Sequence, residues 1–329
     1  MRAFIYETAA DSRVAANAGA GAAFLAGGTT LLDLMKLDVM RPERVVDISG
    51  LSEPHGRIVA EPGRLRLGAL ARMADAARHP AVRQDYPVIV DSLLLAASPQ
   101  IRNMATLGGN VLQRTRCSYF RDPGWAACNK RRPGSGCAAL DGVNRKHAVL
   151  GTSDQCIATY AGDFAQALVA LDARVVIGGP GGRTRILPFG SLHRRPEARP
   201  EVETVLEPGE LILEFVVPAS AWTRRSLYLK IRDRQSYEFA LAAAAVALDL
   251  DGERVRTARI ALGGVATTPW RSHEAEAALA GRTLDDAAAR DAAEAAFAGA
   301  APREGNRFKV ELGRRTLVRA LLQAASLKI

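Results

Sequence analysis

The 329-residue sequence predicts an α+β protein in two parts, and three observations lead to that class. A strand, a glycine pair, a helical segment and a second strand follow one another between Ala22 and Ile48, the layout of a βαβ unit. Beyond Ser226 the order changes to strands first and helices after, the pattern of a separate domain with an antiparallel sheet packed on helices. Between these parts, all four cysteines (Cys117, Cys128, Cys137, Cys156) fall in one segment rich in Gly, Pro, Arg and Asn.

The first unit starts with a strand at Ala22–Leu25 and turns through Ala26-Gly27-Gly28-Thr29-Thr30 into a helix at Leu31–Lys36. A second strand follows at Arg44–Ile48. Gly27 and Gly28 let a ligand approach the backbone, and the N–H groups that open the helix favour a pyrophosphate. No complete GxGxxG accompanies them, so the glycine pair alone is a weak signal. Arg64–Ala69 alternates as a strand, and Asp91–Ala97 reads as a helix closing before Ser98-Pro99. Thr106-Leu107-Gly108-Gly109-Asn110 then repeats the combination of a hydroxyl beside paired glycines, which suits two loops clamping one diphosphate.

After Cys156 a helix is expected at Asp163–Ala173, with strands at Arg174–Ile177 and Leu211–Val217, a turn at Gly178–Gly182 and a loop at Pro196–Pro200. A domain boundary is placed near Ala219–Thr223, after Pro218. Leu227–Ile231, the apolar run Phe239–Leu250 and the alternating Arg254–Leu262 form strands, the last two joined at Asp251-Gly252 as an antiparallel hairpin. Helices follow at Leu284–Ala300 and Lys309–Leu327, the second with Val310, Leu317, Leu321 and Leu322 at helical spacing.

Composition narrows the classes of function. With 48% hydrophobic and 24% charged residues the chain is that of a soluble globular protein. No apolar run reaches the roughly 18 residues of a membrane span, and MRAFIYETAADSRV lacks the apolar centre of a signal peptide, so neither membrane insertion nor export on its own signal is expected. A cytoplasmic location follows as the expectation. The net charge of +9 comes from 44 Lys and Arg spread along the chain, with only 5% aromatic residues, which argues against a nucleic-acid interface.

The cysteines are separated by ten, eight and eighteen residues, with no CxxC. Zinc ribbons draw ligands from close pairs on tight knuckles, so this spacing favours an iron–sulfur cluster over zinc. A chain of this length needs no disulfide staples, and loop composition argues against four core thiols. Arg114, Arg116, Arg121, Lys130, Arg131 and Arg132 flank the first two thiols and are expected to favour thiolates. His147 and His55 are spare candidate ligands, expected to be ordinary surface or capping residues.

Three motifs, LAGGTTLLDLMK (Leu25–Lys36), IRNMATLGGN (Ile101–Asn110) and ALGGVATTPWR (Ala261–Arg271), carry a resemblance across essentially the whole chain. Together they resemble the FAD-binding subunits of the molybdenum hydroxylases, the xanthine dehydrogenase and aldehyde oxidoreductase family. The cysteine insertion further resembles the periplasmic aldehyde oxidoreductases whose FAD subunit carries a [4Fe–4S] cluster. The resemblance implies a two-part FAD-binding domain of the PCMH-like type at 1–220, with subdomains at about 1–55 and 56–220 and an iron–sulfur insertion at 114–158, followed by a C-terminal α+β domain at 221–329.

By the same resemblance, the backbone of Ala26, Gly27, Gly28, Thr29, Thr30 and Leu31 holds the FAD pyrophosphate, with Thr106, Gly109 and Asn110 on the facing loop. Asp163 lies toward the adenosine end. Lys230 approaches the isoalloxazine, with Arg234 and Tyr237 in the neighbouring loop. Cys117, Cys128, Cys137 and Cys156 hold the [4Fe–4S] cluster. The implied partners are a large molybdenum-cofactor subunit, where substrate is oxidised, and a small [2Fe–2S] subunit that passes electrons to the flavin, from which they leave to an external acceptor. No catalytic residue for substrate is expected in this chain. Co-export with a signal-bearing small subunit would make it periplasmic. A zinc-stabilised basic nucleic-acid-binding loop around Arg114–Arg132 accounts for charge and cysteines but leaves both glycine loops idle. A self-contained FAD oxidase lacks a second substrate-binding domain.

Overall fold

The computed structural model describes residues 1–19 and 21–329. Near the N-terminus, β1 (Ile5–Thr8), β2 (Ala22–Leu25) and β3 (Arg44–Asp47) form a three-stranded sheet in the order β1-β3-β2. Both pairings with β3 are parallel. A parallel neighbour needs a crossover, and the Leu31–Lys36 helix supplies it between β2 and β3, burying Leu34 and Met35. Strand β1, which sequence periodicity did not reveal, makes β3 the central strand, consistent with buried Val45 and Val46.

The second sheet is antiparallel: β4 (Ile58–Glu61), β5 (Arg64–Gly68), β6 (Arg174–Gly178), β7 (Thr184–Pro188) and β8 (Leu211–Pro218), in the order β4-β5-β8-β6-β7. In β5 the alternation RLRLG puts Leu65 and Leu67 in the core and Arg66 outside, where it pairs with Glu214 of β8. The sheet therefore brings together strands from both sides of the cysteine segment.

The third sheet, β9 (Ser226–Ile231), β10 (Ala242–Asp251), β11 (Arg254–Gly263) and β12 (Trp270–Arg271), is antiparallel in the order β12-β11-β10-β9. The alanine run of β10 joins the two halves of the molecule. Ala243, Ala245 and Ala247 belong to the core shared with the first 220 residues, while Ala242, Ala244, Val246 and Leu248 belong to the core under the C-terminal helices. Small side chains on both faces let helices approach from either side. On one side lies Phe164–Ala170, buried all round, and on the other Asp286–Phe297 and Phe308–Ala325.

Two local expectations change. The helix read from Asp91 to Ala97 runs from Pro87 to Leu94, because Pro87 sits in its first turn, where a missing N–H does no harm. The second glycine turn is a helical turn, Leu107–Val111, capped by Thr106 through a 3.2 Å bond from the Gly109 N–H to its Oγ1. Among the described residues, no helix is long and apolar enough to cross a membrane.

Candidate cofactor-binding site

The β2–helix turn and the Met104–Asn110 segment face each other closely. A β-carbon on Gly27 would fall against the Met104 carbonyl and 3.0 Å from the Ala105 Cα, so Gly27 is required by the neighbouring loop itself. Gly28 adopts a left-handed backbone, φ +72°, which side chains rarely accept. Around this junction lies a cavity of about 510 Å³ lined by Ala26 to Leu31, Thr106 and Gly109.

Thr29 and Thr30 also border a second cavity, of about 250 Å³, where Asn110, Asp163, Lys230, Arg234 and Tyr237 meet. The thirteen flavin-site residues expected from sequence thus line two adjoining cavities with shared walls. Asn110 Oδ1 is buried and has no partner in the protein, the condition of an acceptor awaiting a ligand. Ala97 and Tyr237, both on the wall of this cavity, hold left-handed backbones (φ +50° and +53°), the kind of local strain that collects at binding sites.

Asp163 and Lys230 form a buried ion pair at 2.7 Å, and the Tyr228 hydroxyl donates to the other Asp163 oxygen, also at 2.7 Å. Lys230 Nζ and Arg232 Nη1 each donate to the Leu95 carbonyl at 3.0 Å. Burial raises the Asp163 carboxyl above its ordinary range while Lys230 and Tyr228 hold against it. Asp163, expected toward the adenosine end, and Lys230, expected toward the isoalloxazine, thus stand together on the wall of the second cavity. Tyr228 was not foreseen. It stands two residues before Lys230 on β9, and the period of two that puts both on one face was legible in the sequence.

A third cavity, of about 500 Å³, shares Arg116, Ala161, Glu238 and Phe239 with the second and extends to Cys117 and His147. Three contacts fasten the cysteine segment to the 232–239 loop. Arg145 grips Asp233 through two bonds of 2.8 and 2.9 Å, Lys146 reaches Glu238 at 3.3 Å, and the Arg116 guanidinium lies 4.9 Å over the Phe239 ring.

The cysteines are all free thiols, and they gather in one neighbourhood. Cys128 and Cys137 pair through a backbone bridge, the Cys137 and Cys156 side chains hydrogen-bond, and Cys117 lies within electrostatic reach of Cys128 and Cys137. Among the described residues, no three His, Cys, Asp or Glu side chains converge on a point that a single metal ion could occupy. Cys128 and Cys156 are buried, contrary to the exposure that the loop composition implied; Leu34 and Phe120 pack with Cys128, and Ile157 with Cys117 and Cys137.

The cations expected around the thiols have partners of their own. Arg116 and Arg121 bind Asp33, Arg114 and Lys130 bind Glu203, and Arg131 donates to the Tyr119, Phe120 and Trp125 carbonyls. These bonds brace the segment, and Lys130 in addition acts on the Cys156 thiol, favouring its thiolate form. Burial pushes the Cys117 thiol up to about 11, whereas a hydrogen bond from Cys156 brings Cys137 down to about 6. His147 is buried, not a surface residue, and its Nε2 lies 3.2 Å from the Cys117 Sγ. His55 is the last residue of the short helix Ser52–His55, which Gly56 caps.

Comparison with known proteins then decides the family. Residues 4–220 match the model described as the FAD binding domain in molybdopterin dehydrogenase, and residues 227–329 match the CO dehydrogenase flavoprotein C-terminal domain. The chain belongs to the FAD-binding subunits of the molybdenum hydroxylases. This flavoprotein subunit is 45% identical over 327 residues to the aldehyde oxidoreductase FAD-binding subunit PaoB of Escherichia coli K12, covering 98% of this chain and 99% of that one. It is 29% identical to the carbon monoxide dehydrogenase medium chain of Hydrogenophaga pseudoflava, covering 92% and 89%. Among solved structures, quinoline 2-oxidoreductase from Pseudomonas putida 86 superposes with a TM-score of 0.75 at 25% identity, covering 98% of this chain and 97% of that one. The two-domain FAD-binding fold of the carbon monoxide dehydrogenases is thereby shared, and the flavoprotein subunit is an oxidoreductase component of the aldehyde oxidoreductase and CO dehydrogenase family.

Proposed function

We propose that this subunit carries electrons within a heterotrimeric aldehyde oxidoreductase, holding FAD in the paired cavities and one [4Fe–4S] cluster on Cys117, Cys128, Cys137 and Cys156. One observation carries the reading: the cavities run on from the Gly27-Gly28 turn through Lys230 to Cys117, each sharing residues with the next. The residues suit the two groups. The Ala26–Leu31 backbone and the capped Thr106–Asn110 turn offer N–H donors around the first cavity, and Asn110 Oδ1 offers an unused acceptor at the second. Four free thiols gathered in one segment offer the four thiolates that a cubane cluster needs.

Bound FAD supplies a centre that exchanges electrons singly or in pairs, and a cluster supplies one-electron exchange. The protein's own part is placement. Lys230, fixed by Asp163 and the Leu95 carbonyl, presents a buried positive charge to the second cavity. Tyr237 and Phe239, on the loop fastened by Arg145 and Lys146, cover that cavity and limit what reaches it. A large molybdenum subunit and a small [2Fe–2S] subunit complete the assembly, and the aldehyde is oxidised there; the 45% identity to an aldehyde oxidoreductase subunit over nearly the full length supports this.

The test is anaerobic stopped-flow observation of flavin absorbance on mixing with an aromatic aldehyde. Bleaching is expected only when the molybdenum and [2Fe–2S] subunits are co-purified. Turnover by the isolated chain at rates ordinary for enzymes, about 1 to 1,000 per second, would overturn the electron-transfer reading.

A further inference from the structure

His147 is a buried histidine with a role that neither the FAD cavities nor the four thiols explain. Its ring is 5% exposed, its Nε2 lies 3.2 Å from the Cys117 Sγ, and its Nδ1 is buried with no partner. Of the two neutral tautomers, the one with hydrogen on Nε2 leaves only a lone pair unpaired at Nδ1. The other would bury an unpaired N–H and, once Cys117 binds iron as a thiolate, turn two acceptors toward each other. The first is the cheaper arrangement, and it makes the imidazole a donor to sulfur.

The backbone beneath this ring is held with unusual investment. Lys309, fully buried on the Phe308–Ala325 helix, donates to the carbonyls of His147 (2.9 Å), Gly264 (2.5 Å) and, at 3.4 Å, Lys146. No carboxylate pairs with it among the described residues. Asn306, also fully buried, donates to the His147 and Ala148 carbonyls at 3.4 and 3.1 Å, and the His147 N–H bonds to the Asn144 carbonyl at 2.9 Å. Burying an unpaired ammonium is costly, and here its donors converge on residues 146–147 and the end of β11. The consequence is that the C-terminal domain fixes where the His147 ring stands relative to Cys117.

We propose that His147 is a positioning residue for the iron–sulfur site, donating a hydrogen bond from Nε2–H to the Cys117 sulfur and thereby setting the reduction potential of the cluster that Cys117 helps to hold. This rests on the cluster reading above. Reduction adds negative charge to the cluster and its thiolates, and an N–H aimed at sulfur stabilises that charge, so the bond raises the potential.

The test uses the full-length chain, purified anaerobically. Iron and sulfide analysis comes first: protein without iron overturns the cluster reading, and the His147 role with it, before any potential is measured. With the cluster present, the wild-type chain labelled with ¹⁵N-histidine is reduced and examined by pulsed electron paramagnetic resonance. A weak histidine nitrogen coupling supports a donor. No coupling overturns the proposal, and a strong coupling overturns it in favour of direct ligation to iron. Redox titration of His147→Leu should show a lower midpoint potential than wild type, with His147→Gln, which keeps an N–H donor, between them. Equal potentials at equal iron content overturn the proposal. If His147→Leu loses its iron, the wild-type nitrogen coupling still decides the matter.

Discussion

Gly27→Ala adds one methyl group where the two cofactor loops touch. Its carbon would fall against the Met104 carbonyl oxygen, 2.8 Å from the carbonyl carbon and 3.0 Å from the Ala105 Cα, whereas ordinary contact begins at 3.4 Å. All three neighbours are backbone atoms and cannot swing aside, so the loops must part by on the order of an ångström. Overpacking of this kind costs about 1–3 kcal/mol. If that strain is relieved by opening the cavity between the loops, FAD affinity falls roughly 5- to 150-fold, at about 1.4 kcal/mol per decade. Titration of apoprotein with FAD, followed by quenching of flavin fluorescence, measures this, and thermal unfolding of the apoprotein separates lost affinity from lost folding. Gly63→Ala is the control: Gly63 has φ +82° at the β4–β5 hairpin turn, with open space where the methyl would go. It should cost on the order of 1 kcal/mol of stability and leave FAD affinity unchanged. Gly27→Ala protein that binds FAD as tightly as wild type would refute the close-approach argument.

Lys230→Met should destabilise the apoprotein by about 3–5 kcal/mol, because it leaves the buried Asp163 carboxylate without its cation. Adding Asp163→Asn should recover most of the loss in urea unfolding, and a double variant no better than the single one would contradict the pairing. Burial brings Lys309 down to about 7 from 10.5. Between those values the unfolded chain binds more protons than the folded one, so stability rises with pH from about 7 to about 10.5, and the deficit is full below about 7. Wild type should therefore gain on Lys309→Met by up to about 1.4 kcal/mol per pH unit in that interval; parallel stability curves would contradict it. Cys137→Ser should lose or degrade the cluster, read as iron per chain, while FAD remains bound, since Cys137 borders none of the FAD-site cavities.

The parts of this structure legible in the sequence are those governed by local pattern. Ala22–Leu25 and Leu31–Lys36 are strand and helix as read, because glycine punctuation and apolar spacing act within a few residues. Strand β1 was missed because all four of its residues are exposed, so no buried face marks it. The Thr106 turn was read from its glycines, although its hydroxyl decides the outcome by capping a helix. The flavin-site residues were named through the family resemblance, yet sequence separation hides contact: Asp163 and Lys230 meet only when the sheet that contains β9 packs, through β10 and β11, on the Phe164–Ala170 helix. The partners of the cations near the cysteines were hidden for the same reason, since Asp33 and Glu203, which bind Arg114, Arg116, Arg121 and Lys130, lie far away along the chain. His147 looked ordinary because Lys309 and Asn306, which hold it in place, arrive about 160 residues later.

The central claim, a flavin and a four-iron cluster on one chain, is tested most directly by the composition of anaerobically purified wild-type protein. FAD, iron, acid-labile sulfide and zinc are measured on the same sample. About one FAD, four iron and four sulfide per chain without zinc is the predicted result. Stoichiometric zinc without iron, or protein without flavin, would contradict it.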